Sequence, residues 1–353
     1  MLAAAASTLS FAPDATAIAD LATYLRAGDE RLVRPSPSAK TAARQREERS
    51  LALLPAAVAA LNPNATAVCD CDDLAEQSSH ATAAEVLHLL TTDNPRNRRA
   101  IGATPDALLA LVSLVGESLS CNNTFWSPSW LAGEEAAEAL WILSFNDRAN
   151  HAALLEAGAP EALAAPLLAA HAPPRAKMWA AAALQNLAAS YCDTQDGRCS
   201  WRWSGDPGAM ALEPHEQLVI DSEPARRRIG AVPGIFVALV DLAAAPPAES
   251  GLLPSAATVS DRLSPGIAAW AAAGALKNLA LSPTLREMII EAGAPHALCA
   301  LSRSRCWLQN SKSRAALGFL EVRDCKSVLK TRPLRVSMKH ALHLRGAESV
   351  VEL

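Results

Sequence analysis

The stretch CDCDD, residues 69–73, sets three carboxylates beside two thiols, a group that could hold a hard cation. It lacks the glycine and glutamate spacing of an EF-hand loop, so a solvated acidic loop is the simpler reading. Cys192 and Cys199 could form a redox loop, yet free intracellular cysteines are usually inert. The eight cysteines show no CxxC or zinc-finger spacing and are expected to be reduced. His88 has no metal-ligand spacing around it and is expected as a surface or packing residue. No GxSxG, phosphate loop, HExxH or dinucleotide-binding glycine motif occurs. No catalytic residue, metal or cofactor is therefore expected, and the chain reads as a non-enzyme.

Trp126, Trp130, Trp201 and Trp203 remain as chemistry of another kind. A tryptophan in a loop either packs back on its own fold or stands out as an interface anchor. Trp201 and Trp203 lie in SWRWSGDPG, which has no helical period.

The elements that must position these residues are helices. Half of the 353 residues are hydrophobic but only 4% are aromatic, and alanine and leucine, the strongest helix formers, carry most of that weight. A net charge of -4 gives no basic field for phosphates, so nucleic acid is not an expected partner. The basic-leaning stretch 323–345 reads as a solvated helix face. No apolar run reaches the roughly 18 residues of a spanning helix, so membrane insertion is not expected. MLAAAASTLSFA has no basic residue before it, and Asp14 and Asp20 follow, which argues against a secretory or transit signal. Cytoplasm or nucleus is the expected location, and the sequons at Asn64 and Asn122 are then coincidental.

One phrase recurs: AAGALKNL at 272–279, AAAALQNL at 180–187, AAEALWIL at 136–143 and AAEVLHLL at 83–90. At 100 degrees per residue, Ala272, Ala275, Leu276 and Leu279 form a core stripe, while Gly274, Asn278 and Leu281 share another face. Leu276 is expected to be buried and Lys277 exposed. The pairs Gly102/Pro105, Gly158/Pro160, Gly230/Pro233 and Gly293/Pro295 punctuate the chain as a left-handed helix stop followed by a helix start. The leucines at 87, 140, 184, 276 and 317 are equivalent, and the shortest spacings, 44 and 41, set a unit of about 42 residues.

A helix ending A-A-x-A-L-x-N-L-A, a short helix, then GAxP and a third helix resembles the armadillo repeat. The resemblance covers roughly residues 45–320. It implies an all-α, right-handed solenoid of about five three-helix repeats (H1, H2, H3), with H3 lining a concave groove. Residues 1–44 would then be an N-terminal helix and linker, and 321–353 a basic-leaning tail with a truncated repeat. Extra residues are expected in three H2 to H3 connections (62–80, 116–133 and 245–266) and after one H3 (192–222).

In that family an asparagine on H3 bonds the backbone of an extended peptide, which singles out Asn186 and Asn278. The alternative is that they bridge adjacent repeats. The same position holds Leu89, Ile142 and Phe319 in the other units. The position four residues earlier, where nuclear-import adaptors carry tryptophan, holds Glu85, Glu138, Ala182, Gly274 and Ala315. The expected groove floor is thus Glu138 with Ile142, Ala182 with Asn186, and Gly274 with Asn278, with Trp201 and Trp203 on the rim. The implied function is a monomeric scaffold that binds an extended, not strongly basic segment of another protein. Two alternatives are a divergent nuclear transport adaptor of importin-alpha type, and a metal or redox protein built on the insertions.

Overall fold

Helix-forming composition and the 3.6-residue stripe should yield stacked helices, and they do. The computed structural model describes residues 57, 74–91, 95–117, 128–145, 147–189, 222–245, 265–304 and 307–330. Among these residues there are fourteen helices and no strand. They are α1 (Leu74–Thr91), α2 (Pro95–Gly102), α3 (Pro105–Glu117), α4 (Pro128–Leu143), α5 (Arg148–Glu156), α6 (Ala159–Leu168) and α7 (Pro174–Ala188). There follow α8 (Glu223–Ala231), α9 (Ile235–Ala244), α10 (Pro265–Leu279), α11 (Pro283–Glu291), α12 (Ala294–Leu301), α13 (Trp307–Phe319) and α14 (Cys325–Val328).

The order is a repeat. After α1, which is an H3, come the trios α2-α3-α4, α5-α6-α7, α8-α9-α10 and α11-α12-α13, each a short H1, an H2 and a longer H3. This is the armadillo type of fold. Residues 1–166 with 171–176 form one compact unit, and residues 167–170 with 177–353 form a second. In the first, α1 packs along α4 and α3 packs on α4. In the second, α10 packs along α13, α9 on α10, and α12 on both α9 and α13. The repeat leucines are the core, with Leu87, Leu184 and Leu276 entirely without exposure and Leu140 nearly so.

Helix ends explain how one trio fastens to the next. The last carbonyls of a helix have no partner within it, and in these repeats a side chain from the following H1 supplies the donor. Asn97 Nδ2 donates to the Leu90 carbonyl (2.7 Å) and Asn150 Nδ2 to that of Leu143 (3.0 Å). Arg226 Nε donates to Ala188 and Arg286 Nε to Ala280, both at 3.0 Å. Gly102 must lack a side chain for this to work, because a Cβ there would lie 1.8 Å from Asn150 Oδ1.

Several expectations need correction. Gly158 and Gly293 are left-handed stops with φ of 86 and 88 degrees, but in the fourth repeat that role falls to Gly234 (φ 80) and not Gly230. Gly230 is buried in α8, where a Cβ would meet Leu285 at 2.6 Å. The insertions expected over 62–80 and 116–133 are shorter than drawn, since α1 starts at Leu74 and α4 at Pro128. Proline suits a first helical turn because its missing N–H would be unpaired there anyway. The connection from Ala244 to Pro265 matches its expected place. The insertion after α7, with Trp201 and Trp203, lies outside the described residues apart from Ser222, as do Trp126, residues 69–73 and residues 1–44.

The thiols were expected to be reduced, yet Cys299 and Cys325 form a disulfide, with Cα atoms 5.3 Å apart. It ties α14 to α12. Twenty-six residues separate the two cysteines, and only the return of the chain past α13 brings them together. Trp130 is buried and edge-on to His171, with ring centroids 5.6 Å apart. Among the described residues, no single helix is long and apolar enough to cross a membrane.

Candidate binding surfaces on the third helices

The H2 helix α9, IFVALVDLAA, shows what a purely structural helix needs here, with seven of its ten residues buried and all seven apolar. The H3 helices differ. Glu135, Glu138, Asn186 and Asn278 are all buried, and all sit on H3. Burying polar groups is unfavourable unless they find partners, so each surface is defined by what those groups meet.

In the first unit they meet one another. Glu135 and Glu138, three residues apart on one face of α4, look toward His88 on α1 and Arg175 at the start of α7. Arg175 Nη2 donates to Glu135 Oε1 at 2.8 Å and to Glu138 Oε2 at 2.9 Å, and its Nη1 is 3.7 Å from Glu134 Oε2. His88 Nδ1 lies 3.3 Å from Glu135 Oε2, and its Nε2 lies 3.2 Å from Glu138 Oε1. An imidazole with a carboxylate at each nitrogen donates at both only when protonated. Burial pulls the pKa of His88 down, but the two glutamates outweigh it and leave it raised. Burial pushes Glu134 up to about 7 and raises Glu138. Burial acts the same way on Glu135, yet His88 and Arg175 hold it below its ordinary value.

His88, Glu135 and Glu138 each offer one ligand atom within 4.8 Å of the others, a spacing that could take a divalent cation. Arg175 already bonds both carboxylates there, so the arrangement is an ion network closed on itself. His88, expected as a surface or packing residue, is half-buried and pairs with Glu135 and Glu138 on a helix 47 residues away. Glu135 and Arg175 carry no motif. The spacing of Glu135 and Glu138 on one helical face was the only signal available.

In the second unit the H3 surface of α7, α10 and α13 carries cations instead. Lys312 Nζ lies 3.6 Å from the centroid of the Trp270 ring and donates to Gln185 Oε1 at 2.5 Å. Burial lowers the pKa of Lys312 to about 7, helped by the charge of Lys277, and burial alone lowers Lys277. Lys277, expected to be exposed, is half-buried. Asn278 Nδ2 donates to the Gln185 carbonyl at 2.6 Å, so this asparagine does bridge repeats. Its Oδ1 has no hydrogen bond within the described residues.

The expected floor positions fall as follows. Glu138, Ala182, Asn186, Gly274 and Asn278 are buried, and Ile142 is half-buried. Gly274 is covered by its own chain, since a Cβ there would lie 2.0 Å from Gln185 Oε1 and 2.8 Å from Lys312 Nζ. Glu138 and Ile142 belong to the first unit, and Ala182, Asn186, Gly274 and Asn278 to the second.

No protein-family model matches the chain, and no curated protein does. Solved structures resemble it in fold. One engineered protein from a structural genomics consortium is 20% identical, with 86% of this chain and 96% of its own covered, at a TM-score of 0.50. A second is 18% identical, with 79% and 51% covered, also at 0.50. A designed armadillo repeat protein is 18% identical, with 85% and 98% covered, at 0.49. The first two, at identities this low, bear on fold alone.

Proposed function

We propose that the chain is a non-enzymatic scaffold whose H3 surfaces bind an extended segment of another protein. The observation that carries this reading is the gathering of buried polar groups on the H3 helices beside H2 helices that bury only apolar side chains. A polypeptide ligand needs donors and acceptors for its main chain, and polar groups on H3 can supply them. Asn278 fits that role in part, because one amide hydrogen holds Gln185 and Oδ1 remains as an acceptor. Trp201 and Trp203 remain candidates for the rim. A monomer in the cytoplasm or nucleus goes with this reading.

A photo-crosslinking amino acid placed singly on H3 (at Ile142, Lys277 or Arg314) and on H2 (at Leu109 or Asp241) tests it. Crosslinks to one common protein from the H3 positions are expected. Crosslinks from H2 alone, or from neither, would overturn the proposal. Asn278→Ala should weaken binding and also lower stability by about 1 kcal/mol, because it loses the bond to Gln185 as well as one to the ligand.

A further inference from the structure

The second unit's H3 surface holds donors that lack acceptors. Lys277 has no carboxylate partner among the described residues, and neither does Lys312, whose ammonium rests on an indole face and one amide oxygen. The indole that Lys312 covers belongs to Trp270, whose Nε1 is itself buried without a partner. Lys312, seated on the Trp270 face, and Lys277, close enough for its charge to act on Lys312, are thus two cations that no carboxylate among the described residues answers.

We infer that Lys277, Lys312 and Trp270 form a subsite for a carboxylate side chain of a bound polypeptide. The inference rests on the scaffold reading and adds the sign of the ligand's charge. A carboxylate offers only acceptors when ionised, which is what this set of donors lacks. Burial works in its favour too, since a charge-assisted bond strengthens where water is excluded. The two lysines repel each other, and an anion between them removes that repulsion. Gly274 belongs to the same design, because the Lys312 ammonium lies where a side chain at 274 would stand. The first unit's surface provides the contrast, as its cations are already matched by three glutamates.

The test uses the full chain and two labelled peptides of equal length, oligo-glutamate and oligo-glutamine, followed by fluorescence polarisation at low salt. Oligo-glutamate should bind at least about tenfold more tightly than oligo-glutamine. Lys312→Met and Lys277→Met should each remove about tenfold of that affinity, with Lys312→Gln as a second variant should Lys312→Met fail to fold. Equal binding of the two peptides, undiminished binding by folded lysine variants, or no binding of oligo-glutamate would each overturn the subsite. The crosslinking at Ile142 and Arg314 leaves both lysines in place and is independent of ligand charge. If it succeeds while the peptides show no preference, the scaffold stands and the carboxylate subsite falls.

Discussion

The two units bury charge on the same class of helix and treat it in opposite ways. In the first, the carboxylates of Glu135 and Glu138 are spanned by Arg175 and His88, so every formal charge at the centre has a counter-charge within 3.3 Å. In the second, Lys277 and Lys312 sit beside an indole and an amide with no carboxylate partner among the described residues. A closed network holds the fold together and leaves little for a ligand to satisfy. An open one lowers the stability of the free protein and so favours whatever closes it. One repeat architecture can therefore host a structural site and a binding site at equivalent places, and the difference lies in pairing, not burial.

The largest expected difference comes from removing one cation from each. Arg175→Ala leaves Glu135 and Glu138 without their shared donor and should cost about 3 kcal/mol, the range for breaking a buried pair. Lys312→Met removes an unpaired, desolvated ammonium while keeping an apolar stem over Trp270, and should change stability by under about 1 kcal/mol, in either direction. Urea denaturation of both variants decides the matter. Comparable losses would mean that Lys312 is as firmly paired as Arg175, and the contrast would collapse.

The fold was legible because its signals are local. The recurring AAxALxNL phrase, with its core stripe through Leu276, depends only on helical period, and the glycine and proline punctuation depends only on backbone conformation. The exceptions are instructive. Gly230 and Gly102 are glycines for what approaches them from another helix, and sequence offers no view of that neighbour. The sites were legible only in part for the same reason. Asn278 stood out by position, but Gln185 could be read as its partner only once α7 and α10 were seen side by side. His88 and Glu135, or Cys299 and Cys325, come together through stacking across distances that no motif spans. Lys277 looked exposed because a helical wheel ends at the helix, whereas its surroundings are other helices.

Titration gives an intermediate effect that sharpens the first unit's side. Glu134 is the carboxylate least matched in the network, 3.7 Å from Arg175, and burial lifts it to about 7. A raised folded pKa means that its neutral form suits the native state, so the associated stability is intact below about 4.5 and is lost as the pH rises to about 7. Glu134→Gln should thus match wild type near pH 4 and exceed it progressively up to pH 7, with a constant advantage above. The stability linked to Glu135 runs the other way, lost as pH falls through its depressed value, but both proteins share it and it cancels in the difference. Thermal melts across this range check the trend, and a gap that stays constant with pH would show that Glu134 is as well paired as its neighbours.

The smallest stability effect, and the finest probe of the second surface, is Gly274→Ala. The added methyl would meet the Gln185 amide at 2.0 Å and the Lys312 ammonium at 2.8 Å. Both are ends of long side chains that can swing aside, so no backbone or buried core atom need move and the cost should stay under about 1 kcal/mol. The equivalent change at Gly102 drives a methyl into Asn150, which is fixed by bonds to the Leu143 and Arg98 carbonyls, and should cost about 1 to 3 kcal/mol. If Lys312 is held against Trp270 in order to meet a carboxylate, displacing it should weaken oligo-glutamate binding severalfold while melting barely changes. Unaltered binding by a folded Gly274→Ala variant would show that the position of Lys312 over the indole is incidental to recognition, and would leave Lys277 to carry the subsite alone.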